Sequence, residues 1–365
     1  MTRIALLVLV LMLAAPAAQA QLGLPNLPEE LTQARANEVR SLLRRHRREL
    51  EADPQGEPIV RSQILALAPN DEALARARAE GFEVVRTDGV EGGDLVVLRA
   101  PRGLSTRRAL QRLREADPQG VYDYDHLHLG SGITLSASSM AQQSAAGGPR
   151  IGLIDGGVLN NSAVIEQRAF SSTAPVASTH GAAVASLLVR AAPGARLYVA
   201  DIYGGAPTGG SSAALARALS WLAAERVPVI NVSLVGPRNQ IVEAMVARVL
   251  QRGAIIVAAV GNDGPAARPL YPAAYEGVVG VTGVDDDGRV LPEAGRGPHV
   301  DFAALGIHRD PRVRGTSFAA PIVAGLIAQS SFQNIRASAR DMGPRGRDET
   351  YGEGLVGGNL LAASR

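Results

Sequence analysis

Three side chains whose types suit acyl transfer stand at the ends of predicted secondary-structure elements. Asp155 follows an apolar run at 151–154, His180 begins an apolar helical stretch, and Ser317 lies in the segment GTSFAAPIVAG at 315–325. Each has an ordinary structural explanation, because aspartate is common in turns, a histidine at a helix start is often a surface residue, and serine is a favoured N-cap. The small residues around Ser317 are a further feature, since they let a large molecule approach the backbone closely.

Taken together, the three side chains supply what a nucleophilic hydrolase needs. A serine hydroxyl becomes nucleophilic when a histidine takes its proton and a carboxylate orients that histidine. The reaction also requires hydrogen-bond donors for the oxyanion that develops. Asn262, which follows an apolar run at 255–260 and Gly261, could donate its amide, and the backbone N–H of Ser317 could be the second donor. The alternative for Asn262 is a simple turn, because Asn-Asp-Gly is strong turn chemistry.

The elements predicted after residue 150 would bring these side chains together. Runs rich in Val, Ile and Leu alternate with helical stretches, which is typical of a parallel sheet covered on both faces. Functional side chains in such sheets lie just beyond the carboxyl ends of the strands. The predicted fold is therefore α/β, a doubly wound parallel sheet, over residues 150–365. The predicted strands are 151–154, 196–200, 229–234, 255–260 and 278–284, and the predicted helices begin at 180, 212 and 241 and after 317.

The motifs that contain these residues resemble those of the subtilisin family of serine endopeptidases. The serine motif is very specific, the histidine and asparagine motifs are moderately specific, and the aspartate motif is weak alone. The resemblance implies that Ser317 is the nucleophile, His180 the base, Asp155 the residue that orients it and Asn262 an oxyanion donor. The resemblance covers residues from about 150 to the closing segment YGEGL. The motifs are IDGG at 154–157, HGAAVA at 180–185, GN at 261–262, GTSFAAP at 315–321 and YGEGL at 351–355.

The resemblance also implies where an extended peptide would bind. In the family the substrate is added as a strand, and a pocket for P1, the residue before the cleaved bond, gives selectivity. The matching walls carry no charge, so an apolar or uncharged P1 residue is expected. Arg268, in the loop after Asn262, could reach this pocket or point into water. The implied substrate-binding residues are Gly209 and Gly210 on the added-strand edge, Ser233, Leu234 and Val235 on one wall, and Ala258, Ala259 and Gly261 on the other.

Residues 59–130 are predicted to form a smaller ferredoxin-like α+β domain. The order is strand, helix, strand, strand, helix, strand, which is the ferredoxin-like arrangement. Zymogens of the subtilisin family resemble this chain in having such a prodomain, whose last strand leads into the active-site cleft. The resemblance therefore implies a prodomain that assists folding, inhibits, and is released by self-cleavage near 129–139. The alternative is a permanent accessory domain, because the composition of the linker at 131–149 does not reveal scission.

Several departures from the family pattern concern the surroundings of the site. Gly156 and the pair AA at 182–183 replace hydrogen-bonding residues, which is expected to loosen the triad without removing it. Val235 stands where glycine is usual and is expected to narrow the cleft. The helix from His180 lacks the loop that many relatives use to hold calcium, so no metal and no cofactor is expected. The run DDDG at 285–288 offers too few ligands for a calcium cage and is interpreted as a turn.

Composition and the first residues bear on where the protein acts. The 365 residues include no cysteine, which excludes disulfides and thiol chemistry. Their formal charge of +2 gives no reason to expect a nucleic acid partner. Residues 1–20 contain Arg3, an apolar run and a closing AQA, which predicts a signal peptide and a secreted or periplasmic protein. The apolar run is shorter than the ~20 residues that span a bilayer, so no transmembrane segment is expected. Residues 21–58 include a basic amphipathic helix, interpreted as a solvated face or as a membrane or partner contact.

The sequence thus predicts an exported subtilisin-like serine endopeptidase, made as a zymogen, that acts on exposed or unfolded protein segments. One alternative is a catalytically silent peptide-binding protein that keeps the groove, and the altered surroundings of the triad motivate it. Another is a lipase or esterase of the α/β-hydrolase type. That class fits poorly, because its Gly-x-Ser-x-Gly motif is not matched around Ser317 and its serine precedes its histidine in the chain.

Overall fold

The computed structural model describes residues 27–130, 132–134, 147–206 and 208–358. The predicted signal peptide at 1–20 and most of the predicted linker at 131–149 lie outside these residues. Within them, a smaller N-terminal part precedes a larger C-terminal part. Among the helices that are described, none is both long and apolar enough to cross a membrane.

The N-terminal part is built on an antiparallel sheet with helices packed on one face. Two of its helices begin at capping side chains, since Asn70 accepts a hydrogen bond from the Ala73 N–H and Ser105 accepts one from the Arg108 N–H. The elements are α1 (Leu27–Arg45), β1 (Leu50–Ala52), β2 (Pro58–Leu67), α2 (Asp71–Ala79), β3 (Glu83–Val90), β4 (Gly93–Arg99), α3 (Thr106–Ala116) and β5 (Val121–Gly130). From β2 to β5 they follow the predicted order, and the strands lie side by side as β5-β2-β4-β3.

The C-terminal part holds the predicted parallel sheet and its helices. Its elements begin with β6 (Ile133–Thr134), β7 (Arg150–Asp155), β8 (Val164–Ala169), α4 (Thr179–Ala191), β9 (Arg196–Asp201), β10 (Gly210–Ser211), α5 (Ser212–Ala224), β11 (Val229–Val232) and β12 (Leu234–Val235). They continue with α6 (Gln240–Gln251), β13 (Ile255–Ala259), β14 (Val279–Val284), β15 (Phe302–Leu305), β16 (Ile307–Arg309), β17 (Arg312–Arg314), a 3₁₀ turn (Thr316–Phe318), α7 (Ala320–Gln329) and α8 (Phe332–Ser338).

Seven of these strands form one parallel sheet in the order β15-β14-β13-β11-β7-β9-β8. Helices α5 and α6 pack on one face of this sheet, whereas α4 and α7 pack on the other. The predicted α/β, doubly wound fold is therefore confirmed. The strand order changes direction at β7, which has β9 on one side and β11 on the other, and ligands of such sheets bind at this position beyond the strand ends.

The two parts share a hydrophobic core and a strand. Leu65 and Leu67 of β2 and Leu95 and Val97 of β4 belong to the same buried cluster as the apolar side chains of α5 and α6. Strand β5 pairs with β2 in its own sheet and then with β10 and β12 of the C-terminal part. The end of β5 is thereby carried to the carboxyl edge of the parallel sheet.

Candidate active site

The folded chain brings Asp155 and His180 into direct contact. Asp155 is the last residue of β7 and is fully buried, and His180 is in the first turn of α4. The Nδ1 atom of His180 donates to Asp155, with distances of 2.8 Å to Oδ2 and 3.0 Å to Oδ1. Asp155 also accepts a hydrogen bond from the Gly156 N–H at 2.7 Å. The carboxylate therefore fixes which imidazole nitrogen carries its proton and leaves Nε2 for other chemistry.

Two glycines let helix α4 approach the end of β7. A Cβ at Gly181 would lie 2.4 Å from the backbone oxygen of Gly156, and a Cβ at Gly156 would lie 2.4 Å from the Cβ of Ser178. Ser178 is also the N-cap of α4, because its hydroxyl accepts a hydrogen bond from the Gly181 N–H at 3.1 Å. The space beside Gly156, one of the departures noted in the sequence, is thus filled by the Ser178 side chain.

The environment of His180 favours its protonated form. Burial by itself lowers the pKa of this imidazole, but the charge of Asp155 and the hydrogen bond to Asp155 outweigh burial and raise the pKa above its ordinary value. The side chain of His180 is 15% exposed. Its Nε2 atom is shielded from solvent and makes no hydrogen bond among the described residues.

Ser317 lies in the 3₁₀ turn that leads into α7, with no side-chain exposure to solvent. Its hydroxyl donates to the backbone oxygen of Ser233 at 3.0 Å, and the Ser233 hydroxyl donates back to the Ser317 backbone oxygen at 2.9 Å. The next residue, Phe318, packs on the His180 ring with ring centroids 5.1 Å apart. Ser317 and His180 are therefore neighbours at one edge of the sheet, with the hydroxyl directed to Ser233.

Asn262 and its neighbour Gly261 are each tied to the same turn by one hydrogen bond. The Oδ1 atom of Asn262 accepts from the Thr316 N–H at 3.0 Å, and the Thr316 hydroxyl accepts from the Gly261 N–H at 3.1 Å. The carbonyl half of the Asn262 amide is therefore held by the residue next to Ser317.

An extended strand of the chain itself lies along the cleft. In β5, His128 pairs with Gly210 of β10 on one side, and Leu129 pairs with Val235 of β12 on the other, both antiparallel. Gly209, at φ 93°, makes this approach possible, because a Cβ there would lie 2.7 Å from the His128 backbone oxygen. The predicted substrate-binding edge and wall therefore flank a bound strand.

The described residues that follow in the chain lie beside the histidine and beside Phe318, the residue after the serine. Gly130, paired with Leu234, lies where an added Cβ would be 3.6 Å from Nε2 of His180. Gly132 lies beside Phe318, and a Cβ there would be 2.7 Å from its ring. Strand β6 then pairs with β17, the strand just before the Ser317 turn. Ser131, between the two glycines, is outside the described residues.

Several residues of this region carry no motif in the sequence. Asp123 and Asp125 of β5 accept hydrogen bonds from the first N–H groups of two helices, Gln240 of α6 at 2.7 Å and Ala213 of α5 at 2.9 Å. Arg35 of α1 approaches Asp263, next to Asn262, with Nε and Oδ2 3.6 Å apart. These contacts join residues distant in the chain, so only the alternating acidic pattern of β5 gave a signal, and that pattern is also typical of an exposed strand.

The acidic run at 285–288 forms a turn. Asp285 accepts hydrogen bonds from the Asp287 and Arg289 N–H groups, and its carboxylate pairs with the Arg289 side chain at 3.0 Å. No group of three or more His, Cys, Asp or Glu side chains suited to a metal ion occurs in the part of the chain that is described.

Comparison with known proteins identifies the family. Residues 149–342 match the subtilase family, also described as peptidase S8, and this segment is more than half of the chain. The chain therefore belongs to the subtilase family.

Individual relatives match at lower identity. The minor extracellular protease Epr of Bacillus subtilis is 29% identical, over 40% of this chain and 26% of that protein. Subtilisin E of the same organism is 25% identical over 71% of this chain and 78% of that protein. Fervidolysin from Fervidobacterium pennivorans, described as a keratinolytic enzyme related to subtilisin, has a TM-score of 0.69 at 17% identity, covering 87% of this chain and 62% of that chain. This chain thus spans only part of the length of Epr and of fervidolysin, and the last comparison shows the fold alone.

Proposed function

We propose that this protein is a serine endopeptidase that hydrolyses peptide bonds in extended protein segments through an acyl-enzyme. The observation that carries the proposal is the extended strand β5, which lies between Gly210 and Val235 and leads its chain past His180 towards Ser317. Main-chain pairing of this kind is how a groove holds a peptide of any sequence. A substrate held in the same register presents its backbone to the two side chains that acyl transfer needs.

The proposed mechanism assigns one role to each side chain. The Ser317 hydroxyl rotates away from the Ser233 oxygen and gives its proton to Nε2 of His180 as it attacks the peptide carbonyl carbon. Asp155 stabilises the imidazolium that forms, and His180 then passes the proton to the leaving amine. The Asn262 amide and the Ser317 N–H hold the oxyanion. Water, deprotonated by His180, releases the acyl group from Ser317.

We further propose that the N-terminal part is a prodomain that blocks its own active site. Its last strand occupies the groove, and the Asp123 and Asp125 carboxylates cap two helices of the C-terminal part. Because Gly130 lies beside His180 and Gly132 beside Phe318, we propose the bond that joins residues 131 and 132 as the site of self-cleavage. Cleavage there leaves the prodomain bound as an inhibitor until it dissociates or is degraded.

Export is part of the proposal. The predicted signal peptide at 1–20 supports it, and the matching Epr is described as extracellular. A zymogen that stays inhibited during export would protect the cell that makes it.

Labelling and hydrolysis test the proposed activity together. The wild-type protein is expected to hydrolyse casein and to react with a fluorophosphonate, whereas Ser317→Ala is expected to do neither. Ser186→Ala is the matched control, because Ser186 is also a buried serine of the C-terminal part but bonds to Ala183 within α4. A folded wild-type protein that never labels, or undiminished casein hydrolysis by Ser317→Ala, refutes the proposal and favours a silent peptide-binding protein.

A further inference from the structure

The register of β5 identifies the pocket that faces the residue before the cleaved bond. Leu129 pairs with Val235 and Gly130 with Leu234, so a substrate residue one position further along in the same register would fall opposite Ser233. The Ser317 hydroxyl is bonded to the Ser233 oxygen, so this position is next to the nucleophile. The family resemblance implies that the walls of its pocket are the segment from Ser233 to Val235 and the end of β13 through Gly261.

The side chain of Leu270 lies against Gly261, at the end of one of these walls. A Cβ at Gly261 would lie 2.5 Å from Cδ1 of Leu270 and 3.6 Å from its Cβ, so the whole leucine side chain is packed on the bare face of this glycine. Leu270 is half-buried. Leu270 therefore covers the part of the pocket wall that Gly261, which has no side chain, leaves open.

The backbone around Leu270 is fixed to the opposite wall. Its neighbour Tyr271 forms two hydrogen bonds with Gly236, N–H to oxygen in both directions at 2.9 Å, and Gly236 directly follows Val235. The 270–271 segment thus runs from one wall to the other, anchored by its main chain at one end and by the leucine side chain at the other. A side chain held in this way cannot leave the pocket by a simple rotation without losing its contact with Gly261.

We infer that Leu270 restricts P1 to small residues, so that the protein cleaves after alanine, serine or glycine and rejects phenylalanine, leucine and methionine. The inference rests on the proposed function and makes it narrower, since uncharged walls alone would admit large apolar side chains. Forcing extra carbon atoms into a filled apolar site is costly, because atoms must be displaced from close contact. The proposed self-cleavage site agrees with this restriction of P1, because the bond proposed for self-cleavage follows Ser131.

The test uses the processed wild-type protein and a set of peptides that differ only at P1. We expect kcat/KM for alanine or serine at P1 to exceed that for phenylalanine by about 100-fold or more. In Leu270→Gly, hydrolysis after phenylalanine should rise at least about tenfold relative to hydrolysis after alanine, because the pocket is emptied. Leu270→Ala, which keeps a Cβ, should give a phenylalanine-to-alanine ratio between those of the wild type and Leu270→Gly. It replaces the glycine variant in the test if that variant does not fold.

Arg268→Gly is the matched control for these variants. Arg268 lies two residues earlier in the same loop and is exposed, so the change loosens the backbone without emptying the pocket. Its P1 preference should equal that of the wild type.

A second measurement uses the chain's own cleavage. Ser131→Phe should slow self-cleavage at least about tenfold, and adding Leu270→Gly should restore it. Wild-type protein that cleaves after phenylalanine as well as after alanine overturns the inference about Leu270 but leaves the proposed peptidase intact. Absence of cleavage of every peptide, together with absence of fluorophosphonate labelling of Ser317, overturns the proposed function itself.

Discussion

At the scale of single residues, the Ser317 hydroxyl must change its hydrogen-bond partner before the proposed reaction can begin. Asp155 and His180 are in hydrogen-bond contact as the residue types suggested. The Ser317 hydroxyl, in contrast, is bonded to the Ser233 oxygen, and no pattern in the sequence could indicate that choice. A hydroxyl rotates freely about its Cβ, so its partner depends on which acceptors the folded chain places around it.

The pKa of His180 gives the first prediction. In uncleaved Ser317→Ala protein, the imidazole should titrate above 6.5, whereas adding Asp155→Asn should bring the pKa below 6.5, because the charge of Asp155 is lost and burial remains. Titration of the imidazole C–H signals by NMR measures both. Asp71→Asn, an exposed carboxylate on α2, is the control and should change nothing.

The sign of this shift has two consequences. Because the pKa of His180 is higher in the folded state than in the unfolded state, its protonation stabilises the fold at any pH below the unfolded-state pKa. This stabilisation is lost as the pH rises through the folded-state pKa. The proposed base is neutral only above that folded value, so the rate of self-cleavage should increase with pH above about 6.5. A self-cleavage rate that falls as the pH rises through this range would contradict the role given to His180.

At the scale of elements, the sequence predicted strands that are buried on both faces. β11 and β13 read VINV and IIVAA, near-continuous apolar runs that only a covered parallel sheet explains. β8, with the sequence VIEQRA, was not predicted, because it is the edge strand and carries charged side chains. Short strands such as β10 and β12 could not be predicted, since each pairs with the distant strand β5 and two residues have no periodicity.

The helix caps on α5 and α6 lead to a prediction at this scale. Asp125→Ala removes the carboxyl group that accepts from the Ala213 N–H, next to the Ser211 N-cap of α5, and loss of an acceptor at a helix N-terminus typically costs about 1 kcal/mol. The cleaved prodomain should then dissociate about five times more readily, which appears as more casein-hydrolysing activity after dilution of the processed complex. Asp94→Ala, which changes an exposed side chain of β4, should leave the activity after dilution unchanged. Equal activity from both variants would show that the cap does not hold the prodomain in place.

At the scale of the whole molecule, the two parts form one structure. Leu65 and Val97 of the N-terminal sheet are buried in the same core as the helices α5 and α6. The ferredoxin-like order of elements could be predicted from the sequence. The packing of the N-terminal sheet on the C-terminal part could not, because the face of the sheet that makes this contact is apolar like any face that packs on a core. If the N-terminal part is the prodomain proposed above, burying this face against the C-terminal part explains how it both assists folding and positions β5 in the groove.

The most direct test of the account is the mass of the chain after expression. Wild-type protein and Ser186→Ala should each yield a mature chain that begins at Gly132, and Ser317→Ala should stay joined across Ser131–Gly132. Cleavage of the Ser317→Ala chain at this bond, or a folded wild-type chain that remains uncut under alkaline conditions, would contradict the claim that the groove holds its own first substrate.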